Sequence, residues 1–200
     1  MANLIILEGV SRTGKSSLTK SLSEKFGFRN ISIKNKMPEC IDNLPDFYQG
    51  MHVIANEFFA SFPDETFILD RSFISELVYS KTFGRKTYIN EDEVIADLLH
   101  DNNFVIVNLS TIHAEYLKRA PKDKHVYSLY EFNVQKDTFY WFFEHFKCYY
   151  SGKKWQNRFL ELDTNSFTIE QCAERIECLL TKNSILKNKI HETQSSDSNR

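Results

Sequence analysis

The stretch Asn3-Leu4-Ile5-Ile6-Leu7-Glu8-Gly9-Val10-Ser11-Arg12-Thr13-Gly14-Lys15-Ser16-Ser17-Leu18 decides how the rest of the chain is read. An apolar run, Leu4 to Leu7, leads into G-x-x-x-x-G-K-S, and an amphipathic segment begins at Leu18. Strand, glycine-bracketed turn and helix form the setting in which this spacing binds the phosphates of a nucleoside triphosphate. Gly9 and Gly14 let the backbone curl so that successive N–H groups point inward, an anion nest at the N-terminus of the following helix. Val10, Ser11, Arg12 and Thr13 lie between them, and the loop runs on through Lys15 and Ser16 to Ser17. Lys15 is placed to reach the β- and γ-phosphates of ATP, and the Ser16 hydroxyl to hold magnesium. A chance match in a Gly/Ser-rich turn would not bring the strand before it and the helix after it.

Composition sets the outer bounds. A chain of 200 residues with 42% hydrophobic residues and a formal net charge of −2 suits one globular α/β domain, long enough to bury roughly 70% of the unfolded chain's surface. Tight duplex binding draws on many Lys and Arg contacts to phosphate, and the near-neutral charge gives no general reason to expect it. Cys40, Cys148, Cys172 and Cys178 are scattered with no C-x-x-C pair, so neither a zinc site nor a disulfide framework is suggested. The six histidines form no pair at metal spacing. Leu4 to Leu7, broken by Glu8, is too short for a signal peptide or a membrane span. A cytoplasmic protein is expected.

Outward from the loop, Leu18, Leu22 and Phe26 predict a helix over about 16 to 26, stopped by Gly27. A short strand over about 28 to 33 and a loop holding Met37-Pro38-Glu39 follow. Phe47, Met51, Ile54, Phe58 and Phe62 predict one apolar face of a helix over about 45 to 62. On that face Phe58 is a core residue and Phe59 the freer ring. Thr66 to Leu69 reads as a buried strand that delivers Asp70-Arg71-Ser72 at its carboxyl end, where open α/β sheets bind ligands. A helix over about 72 to 80, and another over about 91 to 101 capped by Asn90 and Glu93, come next. Then come a strand at Phe104 to Val107 and a short helix from Thr111 to about Arg119.

Lys118 to Lys124, basic and broken by Pro121, is the candidate for a mobile lid. The helix expected over about 127 to 150 carries Phe132, Phe139, Phe143, Phe146 and Tyr150 at helical spacing, a core face or the face of a homodimer. A fifth strand over about 158 to 162 and a helix over about 168 to 181, capped by Thr168 and Gln171, complete the domain. Residues 1–182 thus form one domain and 183–200 a polar tail. The expected architecture is a three-layer α/β fold, a five-stranded parallel sheet with helices on both faces.

A phosphate loop alone does not separate a kinase from a switch GTPase, an ATPase or a catalytically silent nucleotide-binding protein. Asn35-Lys36-Met37-Pro38 lacks the Asp of a guanine-reading N-K-x-D element and lies too early. The chain offers instead Arg12, Arg71, Arg119, Lys122 and Lys124, cations of the kind phosphoryl transfer needs. With Gly9 to Ser16, Met37-Pro38-Glu39, Leu69-Asp70-Arg71-Ser72-Phe73-Ile74-Ser75, Tyr79-Ser80 and the basic lid, it resembles the thymidylate kinases and the related deoxynucleoside kinases over about residues 3 to 181.

The resemblance implies that Lys15 and the loop amides bind ATP, and that Ser16 and Asp70 serve magnesium. Arg12 would act on the transferred phosphoryl group, Arg71 on the acceptor's phosphate, and Arg119 as the lid arginine. Glu39 matches an acidic residue beside the acceptor, the general base of the nucleoside kinases, and Phe59 would stack on a base. The pattern departs at Ser11, where thymidylate kinases carry an acid that holds the sugar 3′-hydroxyl, and at Ser72, which resembles the nucleoside kinases. Two acceptors stay open: a (deoxy)nucleoside monophosphate, which Arg12 favours, or a nucleoside whose 5′-hydroxyl needs Glu39 as base. A minor third is a nucleotide within DNA, or a modified base, for which Ser11 would suit an esterified 3′-oxygen although no wide basic stripe accompanies it.

Overall fold

The opening run forms β1 (Asn3–Glu8), and its alternation is buried on both faces. Leu4 and Ile6 enter one core, Ile5 and Leu7 the other, as in a central strand of a parallel sheet. The computed structural model describes residues 2–32, 57–84, 103–120, 126–149 and 157–186. Four further strands, β2 (Arg29–Ser32), β3 (Thr66–Asp70), β4 (Asn103–Ser110) and β5 (Phe159–Asp163), join it in the order β2-β3-β1-β4-β5. Every pairing is parallel. The register sets Leu7 beside Asp70 and Glu8 beside Asn108, so the ends of three strands surround the start of the glycine loop. That carboxyl edge is where such sheets bind ligands.

On one face lie α1 (Lys15–Phe26) and α5 (Ile169–Lys182), which pack against each other. Leu18 and Leu22 meet Cys172, Ala173, Ile176 and Leu180 in that core. Gly27 ends α1 at φ 72°, its N–H donating to Ser23 O, the expected left-handed stop. Thr168 and Gln171 cap α5 reciprocally, as their spacing predicts. The opposite face carries α2 (Phe73–Thr82) and α4 (Leu129–Tyr149). Phe132, Phe139, Phe143 and Phe146 are buried there, each contributing about 1.5–3 kcal/mol of hydrophobic stabilisation. Ser128 and Glu131 exchange hydrogen bonds at the start of α4, a second capping box. A short α3 (His113–Lys118) follows β4. No helix among the described residues is long and apolar enough to cross a membrane.

Two expectations change. Phe59 is 1% exposed and Phe58 is 39% exposed, the reverse of the predicted face. The helical turn at 57–60 closes tightly: Ser61 N donates to both Glu57 O and Phe58 O, and Phe62 N to Phe59 O. Such three-residue closure shifts the phase of the last turn and turns Phe59 inward onto Phe67 at 5.3 Å. At the other end Ile185, assigned to a polar tail, is buried in the α1/α5 core, with its N–H on Leu180 O. The part of the expected helix at about 45 to 62 that precedes Glu57, the expected helix at about 91 to 101, the loop holding Glu39, the lid residues from Pro121 to Lys124, Tyr150, the turn at 151–154 and residues 187–200 lie outside the described residues.

Candidate active site

Past β1 the chain turns sharply over the end of β4. Gly9 takes φ 126°, and a Cβ there would lie 2.0 Å from the Leu109 carbonyl oxygen, so only glycine permits this approach. The Thr13 hydroxyl donates to Val10 O at 2.9 Å and ties the loop across its base. Lys15 turns its ammonium inward, donating to Gly9 O at 2.7 Å, Val10 O at 2.6 Å and Thr13 Oγ1 at 3.1 Å. Burial pushes its pKa well below the ordinary lysine range; the Arg71 cation adds to this, and Glu8 and Asp70 oppose it. Ser16, exposed in the first turn of α1 beside the exposed Ser17, donates to Asp70 Oδ2 at 2.7 Å. Sequence puts these two 54 residues apart; the β1/β3 pairing brings them together.

Arg71 follows Asp70 at φ 82°, a left-handed backbone that costs a non-glycine residue about 1–2 kcal/mol. Its N–H donates to Leu7 O at 3.1 Å. The guanidinium does not pair with Asp70. Nη1 donates to Tyr79 Oη at 2.6 Å and Ser75 Oγ at 3.3 Å, and Nη2 to Ser11 Oγ at 3.2 Å. Burial works against the Arg71 charge, but Tyr79, Glu8 and Asp70 outweigh it and raise the pKa above its usual value.

Arg12, at φ 64°, lays its guanidinium 4.5 Å from the centre of the buried Tyr116 ring, a cation–π contact. Tyr116 stacks on Tyr127, and its Oη accepts the Tyr127 N–H at 2.9 Å. Tyr127 meets Phe83, and Phe83 stacks on Tyr79, each pair about 6 Å apart. A continuous chain of rings therefore joins Arg12 to Arg71. Arg119, at the end of α3, donates to Arg12 O at 3.2 Å, Thr164 Oγ1 at 3.0 Å and Thr164 O at 2.9 Å. It fastens the glycine loop to the turn after β5. Lys118 instead pairs with Glu115 at 2.5 Å in solvent.

Beneath the loop lies Glu8, 2% exposed. It accepts Ser72 N at 2.7 Å and Ser72 Oγ at 2.6 Å on Oε1, and Ser75 Oγ at 2.5 Å on Oε2. Burial raises the Glu8 pKa; the bonds from Ser72 and Ser75 and the charges of Arg71 and Lys15 pull it back.

The structure thus gathers Gly9 to Ser17, Asp70, Arg71 and Arg119 at one edge of the sheet. Phe59 does not join them: its ring is enclosed by Phe58 and Phe67 and offers no face to a base, so that assignment is corrected. Glu39 lies outside the described residues. Glu8, Tyr79, Tyr116, Tyr127 and Thr164 were not singled out for these contacts. Glu8 carries a signal, a charge closing an otherwise apolar strand, and Tyr79 stands in the Tyr79-Ser80 pair of the resemblance; Tyr116 and Tyr127 read like any core ring.

No protein-family model and no curated protein sequence matches the chain. Solved structures do. The YorR protein from Bacillus subtilis, in complex with phosphorylated GDP, superposes with a TM-score of 0.63 at 19% identity, covering 92% of this chain and 99% of that one. Deoxyadenosine kinase from M. mycoides, with products dCMP and dCDP bound, gives 0.58 at 13% identity over 90% and 99%. Thymidylate kinase from Candida albicans gives 0.56 at 19% identity over 90% and 92%. With its five-stranded parallel sheet, its central strand feeding the glycine loop, and these structural neighbours, the chain has the fold of the P-loop kinases.

Proposed function

We propose that this protein is a kinase that moves the γ-phosphoryl group of ATP to a (deoxy)nucleoside monophosphate, in the manner of a thymidylate kinase. One observation carries the reading: two guanidinium groups, Arg12 from the loop and Arg71 from the end of β3, are anchored at opposite ends of one aromatic chain beside the phosphate loop. Bringing two phosphates together costs about 4 kcal/mol per pair of unit charges at 4 Å and an effective dielectric near 20. Fixed cations on both sides offset that repulsion and stabilise the charge that spreads over the transferred oxygens.

Lys15 and the loop amides bind the donor phosphates in this reading. Arg71, bonded to Ser11 and Tyr79, meets the acceptor phosphate. Arg119 holds the loop against the turn after β5. The hydroxyl of Ser16 and the carboxylate of Asp70 fit magnesium, a hard cation that takes few protein oxygens and completes its shell with water and phosphate. When bound, magnesium neutralises charge on the donor phosphates.

The test is an acceptor screen of the purified protein with ATP and magnesium, offering each deoxynucleoside beside its 5′-monophosphate and a 5′-hydroxyl oligonucleotide. Phosphorylation of a monophosphate at least tenfold better than its nucleoside is expected. Preference for the nucleoside would replace this reading with a nucleoside kinase, and ATP binding with no acceptor turned over would replace it with a silent nucleotide-binding protein.

A further inference from the structure

We infer that Glu8 is a positioning residue for the acceptor side of the site, one that aims Arg71 through Ser75 without touching either phosphate. This rests on the reading of Arg71 as the acceptor-facing cation.

With Glu8 ionised, the state that the Arg71 and Lys15 charges favour, the hydrogen bonds have one consistent direction. An ionised carboxylate accepts and cannot donate, so the protons of Ser72 Oγ and Ser75 Oγ both point at Glu8. Ser72 then has lone pairs free for the Ile74 N–H at 3.2 Å, which caps α2. Ser75 likewise turns its lone pairs to Arg71 Nη1 at 3.3 Å. Glu8 therefore fixes two hydroxyl rotors at once. One anchors the first turn of α2, and the other gives Arg71 an acceptor on the side away from Ser11. The neighbouring bond from Ser72 N to Glu8 holds the backbone next to the strained Arg71, and strain of this kind persists only where the surroundings fix it.

A buried carboxylate is an expensive way to hold two serines. Desolvation raises its pKa, and an amide or an apolar residue would cost less at that depth. Such a group in the floor of a site points to function rather than to stability. Glutamine shows why it does not serve: its single carbonyl oxygen can receive the Ser72 pair, but its amino group then donates to Ser75. Ser75 would have to accept from Gln and Arg71 together, its own proton losing its partner.

The experiment compares wild type, E8Q, S75A, R71A and E8Q/R71A in the full chain, using the acceptor found in the screen. Thermal melting and binding of a fluorescent ATP analogue monitor fold and donor site. E8Q and S75A should each raise the acceptor KM tenfold or more, leave the ATP KM within about twofold, and bind the ATP analogue as wild type does. E8Q/R71A should lose no more than R71A alone, since both changes act on one guanidinium. An unchanged acceptor KM in E8Q or in S75A overturns the inference, as does an ATP KM that rises with it, which would put Glu8 to work on Lys15 instead. If E8Q does not fold, S75A decides by the same readouts. A wild type that phosphorylates no acceptor removes the kinase reading and this inference with it; an active wild type with an indifferent E8Q removes this inference alone.

Discussion

Replacing Gly9 by alanine tests how closely the phosphate loop lies on the sheet. The added Cβ would sit 2.0 Å from Leu109 O and 3.0 Å from its carbonyl carbon. To reach ordinary contact near 3.4 Å, either the loop must lift or β4 must give way. Leu109 is buried and its strand is paired on both sides, so the contact is backbone against fixed backbone. The left-handed φ adds about 1–2 kcal/mol and the forced displacement about 1–3 kcal/mol more, as in overpacked cores. Stability should therefore fall by about 2–5 kcal/mol, and the melting temperature by about 4–20 °C for a domain of this size.

Gly27→Ala provides the reference. Its φ is 72° and nothing lies within 4 Å of the new Cβ, so it bears the conformational term alone, about 1–2 kcal/mol. Gly14→Ala meets only the end of the Ile169 side chain, at 3.1 Å, which can swing aside. Urea denaturation monitored by circular dichroism should rank Gly9→Ala clearly below Gly14→Ala and Gly27→Ala. Equal losses at all three would refute the close approach of the loop to β4.

Lys15→Met should abolish phosphoryl transfer and at neutral pH melt higher than the wild type. The folded protein holds the Lys15 pKa well below the unfolded value, so the unfolded chain binds more protons. Wild-type stability therefore rises as pH climbs from the depressed folded pKa toward 10.5, a slope that the methionine variant should lack in matched melting curves. Phe59→Ala should cost about 3–5 kcal/mol as a buried aromatic deletion, and Phe58→Ala under about half of that; equal effects in denaturant titrations would contradict the inward turn of Phe59.

Where neighbouring residues carry the information, the sequence was enough. Gly27 after Phe26, Thr168 with Gln171, and the aromatic spacing of α4 act through hydrogen bonds and contacts within a turn or two. Those are available to any chain with those letters. The Ser128 and Glu131 box was written in the same code. The face of Phe58 and Phe59 departs from the period because three-residue closure at Ser61 shifts the helical phase in the last turn, and periodicity carried in from Phe47 cannot register that. Ile185 and Leu186 stand as a short apolar pair between Asn183-Ser184 and Lys187-Asn188, too short to give a period, and only the core formed by α1 and α5 gives them a surface to pack on.

The candidate site divides along the same line. Glycine spacing, Lys15 and the apolar strand before them determine by themselves that this chain makes a phosphate loop, because the nest and its helix N-terminus are local backbone geometry. What the cations and carboxylates do is decided only by the fold. Ser11 and Arg71 are 60 residues apart, Glu8 and Ser72 are 64 apart, and Arg12 and Arg119 are 107 apart. They meet because the parallel register of β1 with β3 and β4 brings three strand ends to one edge. Burial there gives Glu8 a partner set, and Arg71 a direction, that no stretch of sequence contains.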